Sequence, residues 1–107
     1  MGTTANKYTP YFPIHPGEII KDEIEFLGIS QRQLATQMGV SHTLLNEVIN
    51  GKRQVNSELA MLIEAALGLD ADTLVRMQAR YNMQMTRQDK TFAQRLAKIR
   101  KFTPTQQ

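Results

Sequence analysis

The chain has no cysteine, no tryptophan and two histidines among its 107 residues. Without cysteine there is no disulfide framework, no thiolate metal site and no thiol nucleophile. His15 and His42 have no carboxylate at a ligand-like i, i+4 spacing facing a pocket, so no metal site is expected. No glycine-rich loop follows a strand, and no histidine clusters with acid or serine partners. The sequence therefore points to no catalytic residue, no cofactor and no enzyme. Long apolar runs are missing as well. No stretch approaches the length of a bilayer span, and the opening residues do not read as a signal peptide. The expectation is a cytoplasmic protein with no membrane partner.

Apolar residues make up 41% of the chain, ordinary for a globular protein. The length suits one domain with one core. The net charge of +3 conceals a sharp asymmetry. Residues 1–75 hold five Lys/Arg against nine acids, a balance of −4, whereas 76–107 hold eight against Asp89 alone, a balance of +7. Segregation of this kind suggests an anionic partner for the basic end.

The most informative stretch runs from Ser30 to Lys52. Ser30 suits an N-cap, with Gln33 in the capping-box position. Leu34, Ala35 and Met38 share one helical face, and Gly39 can end the helix and turn the chain. Val40 plugs the turn and Ser41 caps a second helix. There Leu45, Val48 and Ile49 point inward, while His42, Thr43, Asn46, Glu47 and Asn50 are left outside. Gly51 closes it. Two short helices joined by a glycine turn, the second with a polar outer face, form the pattern of a helix-turn-helix, whose second helix enters the DNA major groove.

Around this unit the periodicity predicts three more helices. His15-Pro16-Gly17-Glu18 starts the first, with Pro16 in the first turn and Glu18 at the positive helix end. Ile20, Ile24 and Leu27 form its inner stripe and Gly28 stops it. Its outer face, with Glu18, Asp22, Glu23 and Glu25 beside Lys21, is acidic and suits a basic protein partner rather than phosphate. Asn56 caps a fourth helix with Leu59, Ile63, Ala66 and Leu67 inside, closed by Gly68. Asp70 caps a fifth through Leu74, Met77, Tyr81 and Met85. The expected fold is thus all-α, a five-helix DNA-binding domain with a basic helical extension at its C-terminus. The divisions are an N-terminal arm at 1–13, the helix-turn-helix domain at 14–85 with the motif at 30–51, and the extension at 86–107. The arm's Tyr8, Tyr11 and Phe12 are expected to dock on the core. In the extension, Phe92, Leu96 and Ile99 lie at i, i+4, i+7 with Arg95, Lys98, Arg100 and Lys101 around them, which suits partner binding. Leu74, Val75, Met77, Gln78 and Tyr81 exceed what a five-helix core needs, so the fifth helix is expected to supply a two-fold dimer contact as well.

The run Gln-x-x-Leu-Ala-x-x-Met-Gly-Val-Ser from Gln31, followed by Leu-x-x-Val-Ile-Asn-Gly-Lys, resembles the lambda-repressor-like (Xre) helix-turn-helix family. With the preceding His15-Pro16-Gly17-Glu18-Ile19-Ile20 and the following Ala66-Leu67-Gly68, it is similar to the HigA/VapI type of antitoxin over about residues 14 to 85. The tryptophan such antitoxins commonly carry near Leu74 is absent. The chain there reads Leu74-Val75-Arg76-Met77-Gln78, a repacked version of that helix.

The N-terminal residues of a recognition helix reach base edges, which nominates His42, Thr43, Asn46 and Glu47. Asn can pair with adenine through two hydrogen bonds, Glu can accept from cytosine N4, and the Thr methyl can meet that of thymine. Lys52 and Arg53 are expected on phosphate, with backbone N–H groups near Asn50, and Ser41 while it caps. The resemblance implies that His42, Thr43 and Glu47 face bases and that Gln31 holds a phosphate. It implies further a homodimeric antitoxin that represses its own operon on double-stranded operator DNA. Its partner would be a small basic RelE-like ribonuclease toxin that cuts mRNA, and the acidic first helix is the candidate docking face. Two alternatives stay open on sequence: a solitary Xre-type regulator, and a protein-interaction module whose sparse cations on this face bind DNA weakly.

Overall fold

Each helix among the described residues begins at a polar side chain that turns back on its own backbone. The computed structural model describes residues 13–105. Within them lie six helices and no strand: α1 Pro16–Leu27, α2 Gln31–Met38, α3 His42–Ile49, α4 Ser57–Leu67, α5 Ala71–Gln88 and α6 Lys90–Ala97. Their N-caps are His15, Ser30, Ser41, Asn56, Asp70 and Asp89, and each side chain accepts from a first-turn backbone N–H. Those N–H groups have no partner within the helix, and a side-chain cap is worth about 0.5–2 kcal/mol. At Ser30 the capping box is complete: Ser30 Oγ accepts from Gln33 N–H at 3.0 Å, and Gln33 Oε1 accepts from Ser30 N–H at 2.8 Å. The Thr73 hydroxyl and amide both donate to the Asp70 carboxylate, which holds its pKa below the ordinary value. Gly39 ends α2 at φ 73°, where any side chain would be strained, and the chain turns directly into α3.

The core draws on five helices. Ile20 and Ile24 come from α1, Leu34, Ala35 and Met38 from α2, and Leu45, Val48 and Ile49 from α3. Leu59, Ala60 and Ile63 of α4, Val55 of the preceding connector and Leu74 of α5 complete it. Helix α4 packs on α5 and α2, while α3 packs between α2 and α1. The all-α domain read from periodicity is therefore the one observed, with α6 as the helical extension.

Particular expectations differ. Leu27, assigned to the inner stripe of α1, is 47% exposed because Gly28 unwinds the chain just beyond it. Helix α5 continues past Met85 to Gln88, so the boundary drawn at 85/86 falls inside a helix. Asp89 then ends α5 and caps α6. Leu74 and Gln78, expected at a dimer contact, lie in the monomer instead. Leu74 is 1% exposed in the core, and Gln78 is 4% exposed with its amide committed to the chain's own backbone. The arm's aromatics, Tyr8, Tyr11 and Phe12, lie outside the described residues.

Candidate nucleic-acid interface

Helix α3 is held from beneath and from behind. Leu45 and Val48 are fully buried and Ile49 nearly so, which fixes its rotation and leaves His42, Thr43, Asn46 and Asn50 exposed and Glu47 half-buried. Behind it, α1 begins at the far end of α3. Gly17 approaches so closely that a Cβ there would overlap the Val48 carbonyl oxygen. His15 Nδ1 accepts the Gly17 N–H at 2.9 Å, leaving Nε2 for a hydrogen bond to the Arg53 backbone carbonyl. The imidazole meets Tyr81 of α5 edge-on, with centroids 5.0 Å apart. One buried ring thus ties α1 and α5 to the chain leaving the recognition helix.

The connector after α3 is bolted down by α5. Gln78 Oε1 accepts the Val55 N–H at 2.8 Å, Gln78 Nε2 donates to Asn82 Oδ1 at 3.0 Å, and Asn82 Nδ2 donates to Gln54 Oε1 at 3.2 Å. A backbone donor at buried Val55 would otherwise go unpaired. This amide relay sets where Lys52 and Arg53 stand.

Burial pushes the His15 pKa below its ordinary value, against smaller opposing effects of the Arg53 carbonyl and Glu18. A base whose folded pKa is lowered takes up protons more readily when unfolded. Stability is therefore complete above the ordinary histidine pKa of about 6.5 and is lost as the pH falls below it. We expect the urea midpoint to fall between neutral and mildly acidic pH, and the fall to shrink in His15→Asn, which keeps a capping oxygen but does not titrate. An undiminished fall in that variant would assign the dependence elsewhere.

On the outer face the candidates are linked. Asn46 Nδ2 donates to Gln31 Oε1 of α2 at 3.1 Å, and Asn50 Nδ2 donates to Asn46 Oδ1 at 3.2 Å. Arg53 places both Nε (2.9 Å) and Nη2 (2.8 Å) on Glu47 Oε1. Glu47 Oε2 is left to accept, and its negative charge is offset by a neighbouring cation. Ser41 Oγ accepts the Leu44 N–H at 3.0 Å at the mouth of α3. Lys52 is exposed at the other end, its N–H closing on the Glu47 carbonyl at 2.8 Å. The arrangement offers a polar helix face with neutral amides at its centre, a carboxylate acceptor, and cations at the edge where a phosphate backbone would pass.

All nine DNA-binding candidates lie on α2, α3, its N-cap or the connector after it, and the structure joins Gln31, Asn46 and Asn50 into one group and Glu47 with Arg53 into another. Sequence reasoning treated Gln31 and Asn46 as independent because fifteen residues separate them. It also missed the parts played by Gly17, Gln54, Gln78 and Asn82, and the contact of His15 with Tyr81. Of the remaining dimer candidates, Val75, Met77 and Tyr81 are half-buried. Val75 and exposed Met61 line an open groove between α4 and α5. On α1, Glu18, Asp22 and Glu25 are exposed and Glu23 half-buried, with Phe26 83% exposed beside them. Glu18 and Asp22 also line the cleft between α1 and Tyr81. Among the described residues no group of three His, Asp or Glu could hold a metal, and no helix is long and apolar enough to cross a membrane.

Residues 20–74 match the family model described as helix-turn-helix. Virulence-associated protein I of Dichelobacter nodosus is 35% identical over 78 residues, 72% of each chain. Antitoxin HigA of Pseudomonas aeruginosa, solved with the higBA promoter, superposes with a TM-score of 0.73 at 27% identity, covering 83% of this chain and 97% of that one. An addiction module antidote protein of a HigA family from Coxiella burnetii superposes with a TM-score of 0.73 at 25% identity, covering 84% and 98%.

Proposed function

The chain belongs to the helix-turn-helix family in its Xre-type branch, and from that premise we propose that it is the antitoxin of a toxin–antitoxin pair and represses its own operon. The observation that carries the DNA half of this reading is the fixed rotation of α3. With Leu45 and Val48 fully buried, His42, Thr43, Asn46 and Glu47 have one direction to face, outward. These four read base edges in the major groove, while Gln31, Ser41, Asn50, Lys52 and Arg53 set the helix against the phosphates. Few cations stand on this face, so one copy binds modestly. A dimer on two half-sites about 34–36 Å apart supplies the affinity. Its two-fold contact uses Val75 and Met77, with Met61 across the groove, and Tyr81 at the margin.

The toxin half rests on likeness to antitoxins and on the acidic face of α1. Glu18, Asp22, Glu23 and Glu25 suit a small basic ribonuclease of the RelE-like kind, and the cleft beside Tyr81 offers a seat for a basic side chain. Two measurements test the whole. The chain should retard DNA from its own promoter in a palindrome-dependent, salt-sensitive way. It should also co-purify with the product of the adjacent reading frame. Retardation without a co-purifying partner would make it a solitary regulator, and no retardation at all would overturn the repressor assignment. On the promoter fragment, Lys52→Ala should weaken all sequences alike and lower the salt slope by about one unit.

A further inference from the structure

The charge of the C-terminal end is not used by any contact so far described. Residues 90–107 contain Lys90, Arg95, Lys98, Arg100 and Lys101 and no acid. Arg87 precedes them on the last turn of α5. Asp89 lies between, but its carboxylate accepts the Phe92 N–H at 3.1 Å and is spent as a cap. All six cations are exposed, and among the described residues the one ion pair is that of Arg53 with Glu47, elsewhere.

Where this charge sits follows from α5. The helix is fastened at Gln78 and Asn82 to Val55 and Gln54, immediately after Lys52 and Arg53. Five residues separate Asn82 from Arg87, about 8 Å at 1.5 Å per residue. The helix breaks at Asp89, and α6 packs against α5 from there. The basic segment therefore begins about 8 Å along α5 from the residue fastened to Gln54, which follows the phosphate-side cations Lys52 and Arg53 in the chain, a length comparable to one Debye length. Duplex DNA running past Lys52 and Arg53 presents a charge about every 1.7 Å along its axis. The alternative occupant, the acidic face of α1 on a second copy, is diluted by Lys21 and offers four carboxylates against the unbroken charge of a duplex.

We infer that α6 and the residues after it are a second DNA contact, gripping phosphates outside the bases read by α3. The inference rests on the proposed DNA-binding role and adds the part of the duplex touched. It gives the chain a sequence-independent hold, so that duplex flanking the half-site contributes to affinity.

The test uses the full chain with Arg95, Lys98, Arg100 and Lys101 all changed to Gln, a good helix former, beside a control set Arg95→Lys and Arg100→Lys. Binding to a long duplex of mixed sequence is followed by fluorescence anisotropy over a range of salt. Each lost phosphate contact lowers the slope of log K against log salt by about 0.9, so the Gln set should lose up to about 3–4 units and the Lys set none. An unchanged slope in the Gln set overturns the inference. So does a drop in solution mass without a change in slope, which would give the segment to a second copy. Lys52→Ala measured alongside separates the two readings. If it lowers the slope while the Gln set does not, the helix-turn-helix assignment survives and this inference fails. If only the Gln set acts, the contact made by the basic segment stands and the assignment of Lys52 to phosphate fails.

Discussion

Gly17→Ala is expected to destabilise the protein by about 3 kcal/mol, the upper part of the usual range for overpacking. The added methyl would overlap the Val48 carbonyl oxygen. Backbone cannot rotate out of the way as a flexible side chain can, so α1 or α3 must move. Moving α1 carries its N-cap His15 along and disturbs the packing of that ring on Tyr81. Moving α3 shifts Asn46 away from Gln31. The change should therefore appear twice: as a lowered urea midpoint, and as weakened promoter binding in the fraction that remains folded. As a control, Glu18→Ala is next in sequence but exposed, and should alter stability by no more than about 0.5 kcal/mol. Equal stability of Gly17→Ala and wild type would show that α1 does not brace the recognition helix as described.

Asn46→Ala should cost about 1–3 kcal/mol of operator affinity, concentrated at one base pair. A carboxamide has two N–H donors and an oxygen with two lone pairs. Gln31 takes one donor of Asn46 and Asn50 takes one lone pair. What remains is one N–H and one lone pair, the combination that meets adenine N7 and N6–H. The two neighbours thus hold the amide plane without exhausting it, and the orienting entropy is spent before DNA arrives. Because Asn46 is exposed, its removal leaves no buried polar group behind and stability should hardly change. Binding isotherms on an operator and on its single-base variants should show the loss at the adenine alone. A uniform loss across all variants would move Asn46 from reading to positioning. Gln31→Ala should reproduce part of the effect, since it frees one side of the amide plane.

The helix starts were legible because each depends on a single residue and its own next turn. Ser30, Ser41, Asn56 and Asp70 announce themselves in that way, and so does the glycine stop at Gly39. The inner faces of α2 and α3 followed from spacing alone, since a 3.6-residue period leaves little choice once Leu34, Met38, Leu45 and Val48 must be covered. Leu27 shows the limit. Its spacing is right, but a stripe position at the last residue before a glycine stop has no helix left to hold it inward. Leu74 and Gln78 show a different one. An apparent surplus of apolar residues on α5 cannot reveal which of them the other four helices need.

Composition and local pattern by themselves determined the all-α class, the capped boundaries, the helix-turn-helix and the polar outer face of its second helix. These are one-dimensional properties, set by bonds within a turn or by a period along one helix. Tertiary structure alone decided that Gly17 touches the Val48 carbonyl, that His15 is shared by α1, α5 and the Arg53 backbone, that Gln78 serves Val55, and that Asn46 is oriented by Gln31. Each joins elements that meet only after the chain has folded, through one hydrogen bond or one close approach. Such a contact leaves no periodic trace in the sequence for a reader to find.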